Sequence, residues 1–264
     1  RKYPDRPIGF SEYGADANPQ YQSSQPERGD YTESWQAVYH EHMLEMIEMR
    51  PWLWATHVWN LFDFAADGRD EGGKHGENQK GLVTFDRQTR KDAFYLYKAA
   101  WNPEPMVHLC GRRYVDRAED VTEIKVYSNA EEVSLYVDGT FFGKETAHRV
   151  FRFRVPIFAV HTIEARTAGQ SDSMEIRRVE EPNPAYVFAG KQAVVNWFDQ
   201  DEFDPDCYSV SDTLAELRAN PEAEAIVNRM MEKGAASRGD VAEAVKDNPG
   251  LQRMMGRMTL ISLL

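Results

Sequence analysis

The fold class predicted by the sequence is α/β plus all-β plus helical. An α/β segment of two βα units spans residues 1–102 and an all-β sandwich spans 103–181; a linker or wrapping segment (182–208) and a small helical region (209–264) follow. Three observations carry this prediction. In the first hundred residues, short apolar runs alternate with segments whose apolar residues recur at helical spacing, which is the pattern of successive βα units. From Pro105 to Glu181 the chain changes to strand-length runs that alternate polar and apolar, with the hairpin signal Asp138-Gly139 among them. Beyond Ser209, Asn220-Pro221 and Asn248-Pro249 each place an N-cap residue before a proline at the first helical position.

Ile8 to Glu12 is a short apolar run that ends in a carboxylate, a buried strand followed by a polar loop from Asn18 to Gly29. Asp30 and Glu33 have the spacing of a capping box, and Trp35, Tyr39, Met43, Met46 and Ile47 then share one helical face. That helix must stop before Pro51. Trp52 to Trp59 is too short for a helix and apolar at both ends, a second buried strand. Ala65 to Gln79 is a glycine-rich, charged loop, and Phe94, Tyr97 and Trp101 mark a second helix over 90–101, ended by Asn102-Pro103.

In the sandwich, Glu123 to Tyr127, Glu132 to Val137, Thr140 to Gly143, Val150 to Val155 and His161 to Arg166 belong to a set of six or seven strands. The tail holds a weak two-unit repeat, Leu214-Ala215-Glu216-Leu217 and Val241-Ala242-Glu243-Ala244, too short for a solenoid. Leu214, Leu217, Ile226, Val227, Met230, Val241, Val245, Leu251, Met254 and Met258 are expected to meet in its core.

Composition excludes several functions. Twelve per cent aromatic residues, six of them tryptophan in number, argue for a packed fold rather than a disordered one. A formal charge of −12 opposes phosphate backbones and anionic lipid, so neither nucleic acid nor a membrane is an expected partner. No apolar run reaches the eighteen or so residues of a membrane helix. Cys110 and Cys207 are too few for a disulfide framework.

Several motif matches fail on chemistry, and no metal or cofactor is expected. Gly139 to Lys144 lacks the spacing and the Ser or Thr of a phosphate loop. Arg238-Gly239-Asp240 sits at a helix start, where capping explains it. Asp199, Asp201, Asp204 and Asp206 mimic a calcium loop, but Asp204 stands at its obligatory glycine and Val210 at its terminal glutamate. His40 and His42, two apart on a helix, face different ways.

Glu12 is the candidate for chemistry. At the C-terminal end of a parallel strand, a carboxylate sits where (β/α) barrels build their active sites, and glutamate suits sugar chemistry because it stabilises or traps an oxocarbenium-like centre. Tyr13 beside it could hydrogen-bond the carboxylate and hold it ionised. Trp59 offers a flat apolar floor for a sugar, and Asn78 and Lys80 could reach ligand hydroxyls or a carboxylate. Each has a plainer alternative: an arginine partner for Glu12, core packing for Trp59, solvation for the loop pair.

Phe10-Ser11-Glu12-Tyr13-Gly14-Ala15-Asp16, Trp59-Asn60-Leu61-Phe62-Asp63-Phe64, Asn78-Gln79-Lys80-Gly81-Leu82-Val83-Thr84 and Lys91-Asp92-Ala93-Phe94 occur in this order. Together they resemble the last two βα units of a (β/α)8 barrel in glycoside hydrolase family 2, the β-galactosidase and β-glucuronidase family. The resemblance covers residues 1–102; more weakly, Val133 to Gly139 resembles an immunoglobulin-like accessory module of the same enzymes. It implies that Glu12 is the nucleophile, that Trp59 shapes the subsite for the non-reducing sugar, and that Asn78 and Lys80 match the Asn-x-Lys pair gripping a uronic carboxylate. β-Galactosidase-like relatives with the wording of Lys80 to Thr84 and Lys91 to Tyr95 also carry that pair, so the expected substrate is a β-linked galactoside or related oligosaccharide, with a glucuronide as the alternative. A non-catalytic accessory module is the third reading. Ala15 stands where β-galactosidases place a histidine, which puts that mode of sugar binding in doubt.

The family's acid/base glutamate has no counterpart in the chain, which opens on Arg1, and is expected upstream of it. Residues 1–264 alone are therefore expected to be inactive. A cytoplasmic setting is expected, with homo-oligomerisation left open.

Overall fold

The computed structural model describes residues 6–190, 207–210, 212–235, 250 and 255–260, in two units, Arg1–Val195 and Asn196–Leu264. In the first unit, β1 (Ile8–Tyr13) and β2 (Leu53–Val58) pair in parallel, joined by α1 (Glu33–Glu48). The expected loop over 65–79 is instead an antiparallel hairpin, β3 (Phe64–Glu71) and β4 (Lys74–Asn78). Its turn is Gly72-Gly73 with φ of 59° and 76°, and glycine adopts two successive positive φ values without the Cβ penalty other residues meet. The second helix, α2 (Asp92–Trp101), follows.

The cap of α1 also departs from expectation. Thr32, not Asp30, caps the helix and accepts from the Trp35 amide, while Asp30 binds the Thr32 amide and hydroxyl. Glu33 is free to do something else: fully buried, it accepts from the Asp92 amide at 2.7 Å and pairs with Arg113. Helix α1 buries Gln36, Ala37, His40 and Leu44, because one side meets α2 and another meets the sandwich, so its buried face is broader than an apolar stripe. Leu44, Leu82, Ala93, Leu96 and Tyr97 form the core of this region.

Eight strands make the sandwich: β5 (Val107–Leu109), β6 (Asp116–Arg117), β7 (Val121–Ser128), β8 (Glu132–Val137), β9 (Thr140–Thr146), β10 (Val150–Pro156), β11 (Val160–Thr167) and β12 (Gln170–Arg178). One sheet has the order β10-β7-β5 and the other β6-β12-β11-β8-β9. The period-two pattern is plain in β10, where Phe151, Phe153 and Val155 face inward and Arg152 and Arg154 outward. They meet Leu109, Ile124 and Val126 on one side and Val133, Leu135, Ile163 and Ile176 on the other, each side chain stabilising the fold by roughly 1.5–3 kcal/mol. Charged contacts dock the sandwich on α1: Glu41 takes Lys125 at 2.7 Å, Arg152 at 2.6 Å and the Tyr127 hydroxyl.

Residues 183–188 wrap back onto the first unit, with the Phe188 ring against Tyr31 and Tyr21 and the Tyr186 ring against Tyr114. In the second unit, α3 (Leu214–Arg218) carries a capping box of Thr213 and Glu216, and α4 (Pro221–Ala235) starts where Asn220 accepts from the Glu222 and Ala223 amides. Leu214, Leu217, Val227 and Leu260 form its core. Ile226 was expected there but is 52% exposed, lying on the outer face of α4. Val241, Val245, Leu251, Met254, Asn248-Pro249, Arg238 to Asp240 and the aspartates from Asp199 to Asp206 lie outside the described residues. Among the described residues, no helix is long and apolar enough to cross a membrane.

Candidate active site

Glu12, Trp59 and Lys80 are carried by segments that touch at Gly14. The Trp59 amide donates to the Tyr13 carbonyl at 2.8 Å, extending the β1–β2 pairing. A Cβ on Gly14 would lie 1.9 Å from the Trp59 carbonyl oxygen and 3.8 Å from the Lys80 Cβ, so only glycine permits this approach. From α1, the Tyr39 phenol also meets the Gly14 backbone. Glu12 is exposed, and its carboxylate has no hydrogen bond or ion pair among the described residues. The Lys80 ammonium has none either, whereas its backbone amide donates to the Asn78 side chain at 3.0 Å. Asn78 is buried, Trp59 is 37% exposed, and the Trp59 indole meets Phe64 edge-on at 5.8 Å.

The expected hydrogen bond from Tyr13 to Glu12 is not made, because the Tyr13 side chain is buried and its hydroxyl bonds Tyr97. Successive strand residues point to opposite faces, so an exposed Glu12 sends Tyr13 into the core. There the Tyr97 hydroxyl donates to the Tyr13 hydroxyl at 3.1 Å, and Tyr97 also bonds His40 Nδ1 at 2.8 Å. Burial, aided by the charge of Lys91, pushes the His40 pKa down to about 3 and keeps the ring neutral.

Beneath the site lies a polar layer that the sequence reading did not assign. Lys91 is fully buried and spends its three ammonium protons on the Ala17 carbonyl (2.7 Å), the Gln79 carbonyl (2.9 Å) and Asp63 Oδ1 (2.9 Å). Asp63 Oδ1 also accepts from the Gly81 amide at 2.8 Å. Burial raises the Asp63 pKa to about 6 against the opposing pull of Lys91, and burial lowers the Lys91 pKa. Gln36, from α1, donates to the Ala15 carbonyl at 2.9 Å and the Gly81 carbonyl at 3.2 Å. A signal for Lys91 was present in the sequence. A lysine at the N-terminus of a helix opposes the helix dipole, and here Lys91 is the N-cap of α2.

A second buried cluster unites Asp92, His108 and Cys110, whose potential ligand atoms lie within 4.8 Å of one another. Its groups are already engaged with one another and with the backbone. Asp92 meets His108 Nε2 at 3.0 Å and accepts from the Gly111 amide at 2.7 Å, Arg113 stands 3.9 Å away, and the His108 ring stacks on Tyr95 at 3.6 Å. The Cys110 thiol is pushed well up by burial and stays protonated, so the cluster acts as a hydrogen-bonded seam between α2 and the sandwich.

No family model matches the chain. Among solved structures, an FMN-binding β-glucuronidase from Facaelibacterium prausnitzii L2-6 superposes with a TM-score of 0.70 and 47% identity, over 71% of this chain and 29% of that one. A β-glucuronidase of Bacteroides fragilis is 44% identical over 153 residues, 56% of this chain and 22% of that protein. The chain resembles a segment of glycoside hydrolase family 2 enzymes. A Bacteroides fragilis structure assigned as a β-galactosidase aligns with this chain at a TM-score of 0.65 and 31% identity, over 69% of this chain and 29% of that one. The segment thus spans about a fifth of the length of the curated relative it matches and under a third of each structure.

Proposed function

We propose that the protein is a retaining β-glycosidase acting on terminal β-D-glucuronides, with Glu12 as nucleophile. In this reading β1 to α2 are the last two βα units of a (β/α)8 barrel and the sandwich is an immunoglobulin-like accessory module. The observation that carries it is the meeting, at Gly14, of the segments that bear Glu12, Trp59 and Lys80, whose carboxylate and ammonium have no partner among the described residues and whose indole is partly exposed. Glu12 attacks the anomeric carbon to form a glycosyl-enzyme; a second carboxylic acid, supplied from outside residues 1–264, protonates the leaving oxygen and then activates water. Trp59 gives the sugar an apolar floor. Lys80, beside Asn78, pairs with the uronic carboxylate, a charge-assisted contact that a neutral sugar cannot reproduce.

The relatives' names support the glucuronide over the galactoside that the Lys80 to Thr84 wording first suggested. The galactoside remains the second reading, supported by the structure assigned as a β-galactosidase. The two separate in one experiment on the full-length polypeptide that carries this segment. kcat/KM for an aryl β-D-glucuronide should exceed that for the matching β-D-galactoside at least about tenfold, the size of one lost charge-assisted contact, and Glu12→Gln should abolish both. A preference for the galactoside would select the second reading. Undiminished turnover by the variant would remove Glu12 from the mechanism.

A further inference from the structure

We propose that Gln36 and Lys91 are a pair of buried positioning residues that hold Lys80 in place for the sugar's carboxylate; this rests on the glucuronide reading above. The two carbonyls flanking Lys80 are both clamped: Gln79 by Lys91 at 2.9 Å and Gly81 by Gln36 at 3.2 Å. The same two side chains also hold the loop that leaves the Glu12 strand, Lys91 through the Ala17 carbonyl and Gln36 through the Ala15 carbonyl. One clamp comes from α1 and the other from the N-terminus of α2, so each helix fixes the Lys80 segment to the Glu12 loop independently. A direct bond, from the Ala17 amide to the Gln79 carbonyl at 3.0 Å, completes the junction.

The cost of this arrangement argues for a use. Both side chains are wholly buried, and Gln36 Oε1 finds no hydrogen-bond partner among the described residues. A buried amide with an unsatisfied oxygen is destabilising, and an apolar side chain of similar volume would avoid that. What the amide supplies and an apolar residue cannot is two donors aimed at two carbonyls in different loops. The ammonium of Lys91 likewise has no proton left for a ligand. Both side chains act through the backbone of their neighbours, while Lys80 between the clamped carbonyls has no ammonium partner among the described residues.

The test uses the full-length polypeptide, with Gln36→Leu, the charge-neutral pair Lys91→Met with Asp63→Asn, and Lys80→Ala for comparison. The double variant avoids leaving Asp63 as an unpaired buried charge. Two readouts are taken: the ratio of kcat/KM for an aryl β-D-glucuronide to that for the aryl β-D-galactoside, and amide hydrogen exchange across residues 79–82. Gln36→Leu and the double variant should each lower the ratio about tenfold or more, through a raised KM for the glucuronide with kcat changed less than about threefold. Both should speed exchange at 79–82 about tenfold while the interior of α1 is unchanged.

Where Lys80→Ala lowers the ratio, equal losses on both substrates, an unchanged ratio in both variants, or loss of the cooperative thermal transition in both would overturn the positioning role. If Lys80→Ala leaves the ratio unchanged while exchange at 79–82 rises in the clamp variants, the glucuronide reading fails and the clamp stands. If Lys80→Ala lowers the ratio and the clamp variants do not, the reverse holds.

Discussion

The βα region and the sandwich, joined in one unit, solve the burial problem differently. In the sandwich, thirteen buried residues from both sheets close a single core, and the strands alternate cleanly between inside and outside. In the βα region, apolar side chains stay in solvent, Trp54 at 71%, Trp101 at 62% and Leu61 at 51%, while charged and polar groups go inside: Glu33, Gln36, His40, Asp63 and Lys91. A region built only for stability would reverse that allocation, since buried ion pairs add little net stability. The βα region holds loop ends in fixed relation, and the sandwich supplies the ordinary packing.

The sharpest way to break this contrast is to separate activity from stability. In the full-length polypeptide, Glu12→Gln should lower turnover of an aryl β-glucuronide at least about 1,000-fold. Glu12 is exposed and unpartnered, so its thermal unfolding midpoint should hardly move. A large fall in the midpoint would recast Glu12 as structural. Phe151→Ala should do the opposite, costing about 3–5 kcal/mol of stability in denaturant titrations because the ring is wholly buried; a loss below about 1 kcal/mol would contradict the closed core.

A third effect distinguishes the regions by pH. His40 is held near 3 in the fold but takes up a proton near its ordinary 6.5 when unfolded, so acid favours the unfolded chain and stability falls as pH drops from 6.5 towards 3. Asp63 has the opposite sign. Its pKa is raised from 3.8 to about 6, so the stability it contributes below 3.8 is lost as pH rises through 6. The two oppose each other between 3.8 and 6. Removing one group exposes the other: the stability of His40→Gln relative to wild type should improve by about 2 kcal/mol between pH 7.5 and pH 5, at about 1.4 kcal/mol per unit below 6.5. A pH-independent difference would mean that His40 is not held neutral. The smallest effect is expected at Trp54→Ala, under about 0.5 kcal/mol in the 264-residue chain because the ring is already in solvent. The same substitution in the full-length polypeptide should cost more if further barrel elements cover that face.

The contrast also explains what the sequence could reveal. Alternation and Asp138-Gly139 made the sandwich legible, because a sheet with one buried face writes its pattern directly into the chain. Glu12, Trp59, Asn78 and Lys80 were legible as candidates, and the structure brings the segments carrying Glu12, Trp59 and Lys80 together at Gly14. The expected Tyr13–Glu12 hydrogen bond overlooked the strand's own alternation, which sends the two side chains to opposite faces. Hairpin β3–β4 was missed although Gly72-Gly73 announces its turn, since the flanking residues are charged rather than alternating. Gln36, Asp63 and Lys91 could not be found by periodicity, because a buried polar residue looks like a surface one until its partners are known.

The most direct measurement is to treat the full-length polypeptide with a 2-deoxy-2-fluoro-glucuronyl fluoride, which would trap a glycosyl-enzyme, and to locate the adduct by peptide mass mapping. The adduct should fall on the peptide that contains Glu12, at one sugar per chain, and vanish in Glu12→Gln. An adduct on any other carboxylate, or none in a protein that still turns over the aryl glucuronide, would contradict Glu12 as the nucleophile.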